Sequence, residues 1–171
     1  MPNTFTLIAS STVGAGGAAS IDFTSIAGTY TDLVIKTSVR TTGTGAPWLQ
    51  LRFNGSSSSY SQRYLYGTGA AAASTTSGTA GYMTLAAGIN STSQTASTFT
   101  NAEIYIPNYA GSNNKSVSAD AGQENNATTA YATLAAGLWS SSSAITQVTL
   151  YPETGNFAEF TTAYLYGVKN A

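Results

Sequence analysis

The chain has no cysteine and no histidine. The first absence removes disulfides, zinc-thiolate sites and thiol catalysis together. The second removes the imidazole base of Ser-His-Asp and Cys-His machinery and the metal-binding HExxH helix. Charge is almost as scarce: 8% of residues are ionised, six basic and seven acidic, and they are scattered singly. No basic stripe is available to track a phosphate backbone, so no nucleic-acid partner is expected. No window approaches the roughly eighteen apolar residues of a membrane span, so no membrane partner is expected either. The N-terminus, MPNTFTLIASS, lacks a positive n-region and has a short apolar run only at Leu7 to Ala9, unlike a secretory signal.

What remains is a chain of 171 residues, 42% hydrophobic, with eleven tyrosines and a background of Ser, Thr, Gly, Ala and Asn. This length suits one domain. The mixture favours strands and turns, since β-branched and aromatic residues fit pleated surfaces while Gly and Asn supply corners. With a net charge of −1, little repulsion opposes association, a hint of assembly.

Period-2 alternation marks the strands. Residues 1–20 read as a first strand or ordered arm, with Phe5 and Leu7 alternating against Thr, and residues 21–171 as a single β-sandwich domain. Ala19 to Thr24 puts Ile21 and Phe23 on one face. In Thr31 to Thr41, Leu33, Ile35 and Val39 oppose Lys36 and Arg40, and in WLQLRFN, Leu49, Leu51 and Phe53 oppose Trp48, Gln50 and Arg52. These two strands read as a hairpin. Further strands are expected at Ser61 to Gly67, Gly81 to Ala87, Thr98 to Ile106, Lys115 to Gly122 and Thr129 to Trp139. Gly67 to Ala80, nearly all Gly, Ala, Ser and Thr, reads as a mobile exposed loop and a candidate contact surface. Asn108 to Asn114 reads as a tight corner, Gln123 to Thr128 as a polar loop. The closing segment, Ala144 to Asn170, reads as a hairpin of Ile145 to Tyr151 and Phe160 to Val168 around Pro152, Gly155 and Asn156. The sum is about ten or eleven short strands and no sustained helical period, the pattern of an all-β antiparallel sandwich or barrel.

Two internal echoes stand out. YMTLAAG (Tyr82 to Gly88) recurs as YATLAAG (Tyr131 to Gly137), and YLYG at Tyr64 to Gly67 recurs at Tyr164 to Gly167. Their spacings differ, so they do not mark a solenoid. Paired strands filling similar positions in two sheets would produce them, with Ala and Gly permitting close packing; so would chance in a biased composition. On this reading TAYLYGV is a core strand matched in pattern to Tyr64 to Gly67.

Little in the chain points to chemistry. Seven carboxylates are present: Asp22, Asp32, Glu103, Asp120, Glu124, Glu153 and Glu159. A glycosidase needs two of them facing one cleft at about 5–10 Å, and no spacing here demands it. Asp120 with Glu124, Asn125 and Asn126 is the one local cluster of oxygen ligands, but it lacks the order of a calcium loop and reads as bare surface. The N-x-[ST] sequons at Asn54, Asn90, Asn114 and Asn126 follow from composition. Catalytic, cofactor-binding and metal residues are therefore expected to be none, and the protein is not expected to be an enzyme. Tyr60, Tyr64, Tyr66, Tyr109, Trp139 and Tyr151 border loops or strand ends and are the candidate interface or ligand-contact residues, with core-edge packing as the plainer role. Trp48 and Trp139 are placed in or near the core.

The stretches IDFTSIAGTYTDLVIKTSVR, LQLRFNG with its Ser/Tyr loop, NAEIYIPNYAGSNNKS and AITQVTLYPETGNFAEFTTAYLYGVK resemble small β-sandwich virion proteins of tailed bacteriophages, nearly throughout from Ile21 on. That resemblance implies a jelly-roll-like sandwich, often trimeric, used as a capsid decoration (cement) protein or as part of a fibre. It implies self-association, the major capsid protein as partner, and a place on the capsid surface of a virion assembled in the host cytoplasm. The alternative is a receptor- or glycan-binding head of a tail or head fibre, using the loops around Ser56 to Tyr66 and Asn108 to Asn114.

Overall fold

A computed structural model of the protein describes residues 4–126 and 130–169. Among them thirteen strands occur in chain order: β1 (Phe5–Thr12), β2 (Ile21–Phe23), β3 (Asp32–Thr41), β4 (Leu49–Phe53), β5 (Tyr60–Gly67), β6 (Ala72–Ala80), β7 (Met83–Ala86), β8 (Asn90–Ser91), β9 (Thr100–Ile106), β10 (Lys115–Gln123), β11 (Tyr131–Trp139), β12 (Val148–Pro152) and β13 (Thr162–Val168). They form two unequal sheets. The larger runs β1-β13-β3-β9-β10-β11-β5-β6, with short β8 parallel to the end of β3; the smaller runs β2-β12-β4-β7. All other pairings are antiparallel. The all-β sandwich expected from alternation is what forms. The polar loop and the strand start expected around residues 127–129 lie partly outside the described residues, as do Asn3 and Asn170.

Two expected hairpins do not form. β3 lies in the large sheet and β4 in the small one; β12 and β13 are split in the same way. Alternation reports only that one side of a strand is buried, and a strand facing its neighbour across the core satisfies that as well as one lying beside it. The nine residues between β12 and β13 make the crossing. They are pinned on the way by Phe157, which exchanges backbone hydrogen bonds with Ala18 at 2.7 and 3.0 Å, and by Ala158, whose N–H donates to the Arg40 carbonyl at 2.8 Å. The segment expected to be a loop at Gly67 to Ala80 is mostly β6, paired along β5 from Gly67↔Ala72 to Gln62↔Ser77. Its small residues carry no apolar period, so only the backbone ladder reveals the strand.

The core lies between the sheets. Leu33, Ile35 and Val39 of β3, Leu49, Leu51 and Phe53 of β4, and Ile104 and Ile106 of β9 are all buried, on the faces their alternation indicates. The heptapeptide echo has a physical basis here, because β7 and β11 pack face to face from opposite sheets. A Cβ on Gly88 would meet the Tyr131 ring and one on Gly137 would overlap Met83, while Ala87 N–H donates to Thr133 Oγ1 at 3.1 Å. Gly88 receives Tyr131, which opens the other copy, and Gly137 receives Met83, the second residue of the first copy.

Two cations are buried with no carboxylate paired to them among the described residues. Arg40 projects from the outer face of β3, where alternation places it, but the 91–98 loop folds over it. Its guanidinium donates to the carbonyls of Thr98 at 2.6 Å, Thr95 at 2.9 Å and Gln94 at 3.3 Å. Lys115 points inward from β10 at 1% exposure, and its ammonium donates to the carbonyls of Gly111 at 2.7 Å, Asn113 and Ser141. Burial pushes both groups below their ordinary pKa values. Each ties a loop to the sandwich through its backbone carbonyls.

Candidate interaction face

Because the small sheet covers only one side of the large one, the other side is left largely uncovered away from the 91–98 loop, and register shows which residues face it. One row crosses the sheet as Ser10, Tyr164, Lys36, Glu103, Asp120, Leu134, Leu65 and Ser74. The adjacent row reads Leu7, Tyr166, Val34, Tyr105, Ser118, Ala136, Arg63 and Thr76. Of the seven large apolar or aromatic side chains exposed among the described residues, six lie on this face: Phe5, Leu7, Leu65, Tyr105, Leu134 and Tyr164. Leu134 and Leu65 are direct cross-strand partners, 61% and 52% exposed. Scattered exposed leucines need no explanation, but concentration on one sheet face does.

The charges on this face are few and nearly balanced. Lys36 and Glu103 pair at 2.7 Å, and the hydrogen bond to Glu103 holds the lysine above its ordinary pKa. Both are half exposed, so the pair fixes local geometry more than it adds stability. At one margin Asp32 accepts from the Tyr105 hydroxyl at 2.8 Å and from Asn108 N–H at 2.9 Å, which raises the Tyr105 pKa. Glu103 and Asp120 are cross-strand neighbours, so two carboxylates do come together, with Lys36 on one of them. Between β10, β11, β5 and β6 the face sinks into a hollow of about 750 Å³, lined by Leu65, Leu134 and Ala136 with Arg63 and Asp120 at its sides. A second hollow of about 560 Å³ adjoins it through Leu65, Leu134 and Asp120.

The aromatic residues singled out from sequence do not meet at one surface. Tyr60, Tyr64, Tyr109 and Trp139 are buried, so as contact residues they are corrected to interior ones. Tyr60 stacks on Trp139 with centroids 6.2 Å apart, and its hydroxyl accepts from Phe53 N–H at 2.8 Å. Tyr64 meets Trp48 edge-on at 5.4 Å, and the Tyr109 hydroxyl donates to the Ala27 carbonyl. Tyr66 and Tyr151 keep partial exposure but sit on different sheets. Arg52 lies over the Tyr151 ring at 5.1 Å, and burial pushes that phenol up to about 12. Corner aromatics read as peripheral because loops border them; here their rings turn inward and only the hydroxyls seek backbone partners.

The carboxylate of Glu124 is capped by its own turn, accepting from Asn125 N–H at 2.9 Å and Asn126 N–H at 2.7 Å. Among the described residues no group of three or more potential metal ligands comes together, and no helix is long and apolar enough to cross a membrane. No family model, curated protein or solved structure matches the chain.

Proposed function

We propose that the protein is an assembly module, a virion decoration protein that self-associates and binds the major capsid protein through the uncovered face of its large sheet. The observation that carries this reading is the concentration of six large exposed apolar or aromatic side chains on that face. Eight strands spaced about 4.8 Å apart and about 20 Å long make a face of roughly 700 Å², close to the roughly 800 Å² per partner of a standard interface. Covering an exposed leucine is favourable by up to about 1.5–3 kcal/mol, so the face gains by being covered. The resemblance to phage sandwich proteins supplies the kind of particle, and many copies on a shell would add weak contacts into firm attachment. The glycan-binding alternative leans on loop tyrosines of which Tyr60, Tyr64 and Tyr109 are interior.

Particles assembled with and without the gene test this reading. Those without it are expected to lose heat resistance, and a map of the complete particle is expected to place the large-sheet face against the shell or a neighbouring copy. Equal heat resistance, or density on the tail alone, overturns it.

A further inference from the structure

The seventh exposed hydrophobic, Phe160, stands apart from the other six. It lies in the crossing between β12 and β13, 66% exposed, with φ at 68°. A bulky residue disfavours that left-handed backbone, which glycine or asparagine adopts readily. The surroundings hold it there. Phe160 N–H donates to the Val13 carbonyl at 2.9 Å and Thr161 N–H to the Ala158 carbonyl at 3.2 Å. Thr161 Oγ1 both accepts from Arg40 N–H and donates to the Arg40 carbonyl, each at 3.1 Å. A hydrogen-bonded turn thus presents a largely exposed phenyl ring to solvent in a conformation it resists. Strain held in place by its surroundings clusters at functional sites, which makes this exposed ring a candidate contact.

We infer that chains join head to tail, with Phe160 of one copy seated in the hollow bounded by Leu65 and Leu134 of the next. This rests on the assembly reading above. The ring cannot fill its own hollow: β13 and β5 are separated by β3, β9, β10 and β11, roughly 24 Å across the sheet. Charge complementarity favours a second copy as the partner. Glu159, exposed beside Phe160, and Arg63, exposed at the side of the hollow, are in no ion pair among the described residues, and seating the ring sets opposite signs together. Asp120 on the other side of the hollow repels Glu159 and so disfavours the reversed orientation. Knob and hollow are different patches, so the contact is heterologous, and successive copies close into a ring or run on as a filament. Closure at three would give the trimer that the sequence resemblance implies.

Sedimentation velocity on the full chain and its variants tests this. Wild type is expected to self-associate, while Phe160→Gly and Leu134→Asp each weaken association at least tenfold. Mixing those two variants is expected to restore a one-to-one pair and nothing larger, since one still offers a hollow and the other a knob. Glu159→Arg and Arg63→Glu each weaken association, and the double exchange recovers it. Phe160→Gly is expected to melt at or above the wild-type midpoint at dilutions where both are monomers, so lost assembly is not lost folding. If wild type associates but Phe160→Gly leaves it intact, or the mixture yields no pair, this inference falls while the assembly reading stands. A double charge exchange as weak as its singles also overturns it. If wild type stays monomeric at all concentrations, both fall.

Discussion

The same four residues, YLYG, occur twice in the large sheet and face opposite ways. In β5, Tyr64 is buried and Tyr66 half-buried, while Leu65 stands 52% exposed on the outer face. In β13, Leu165 is buried at 0% and Tyr164 stands 38% exposed on that outer face. A strand offers two phases, and a shift of one residue exchanges the faces. What selects the phase is the neighbourhood. Beside β5, Trp48 meets Tyr64 edge-on and Tyr131 meets Tyr66 at 5.9 Å, so rings are wanted inside. Beside β13, the inward glycine, Gly167, receives the Tyr30 ring directly against its Cα, whereas Gly67 has nothing within 4 Å of where a Cβ would stand. Identical sequence thus gives a core strand in both places but displays a different side chain.

The comparison can be broken most forcefully at its leucines. Leu165→Ala removes a fully buried side chain and is expected to cost about 2–5 kcal/mol of unfolding free energy, whereas Leu65→Ala stays within about 0.5 kcal/mol. Chemical denaturation of the two variants checks this, and equal losses would show that the phases are misassigned. The glycines come next. Gly167→Ala forces a methyl into the Tyr30 ring and is expected to cost about 1–3 kcal/mol, while Gly67→Ala is neutral or slightly stabilising. The smallest effect is at Tyr64, whose pKa is raised by burial. A phenol whose folded pKa lies above its unfolded one contributes stability that is fully present below about pH 10 and lost as pH climbs through the folded value. Tyr64→Phe is therefore expected to soften the alkaline limb of a melting-temperature profile, and an unchanged limb would count against its burial.

Much of the fold was legible in residue patterns, because burial on one face of a strand imposes alternation locally. Leu33, Ile35 and Val39, or Ile104 and Ile106, need no tertiary knowledge to be placed inside. Which sheet a strand joins is not local: β4 and β12 carry the same signal whether their partners lie beside them or across the core. β6 escaped because AASTTSGTA has no contrast between its faces. The apolar outer face escaped for a different reason. Nothing in the alternation separates Leu134 and Leu65 from core leucines, and only the register reveals that they share an outer row with Lys36, Glu103 and Asp120. Phe160, read as the first residue of the closing strand, instead precedes it: β13 begins at Thr162, and the left-handed backbone at Phe160 is set by the crossing that holds it.

Lys115 bears on how the folded state can be followed in a mixture. The chain has three lysines, and Lys36 and Lys169 are exposed, while the third amine is sealed and surrounded by carbonyls. An acylating reagent would mark the two outer lysine amines at once and reach Lys115 only when the loops it fastens come away. The rate at which that third label arrives is a clock for local opening, readable by mass even when the protein is one component among many.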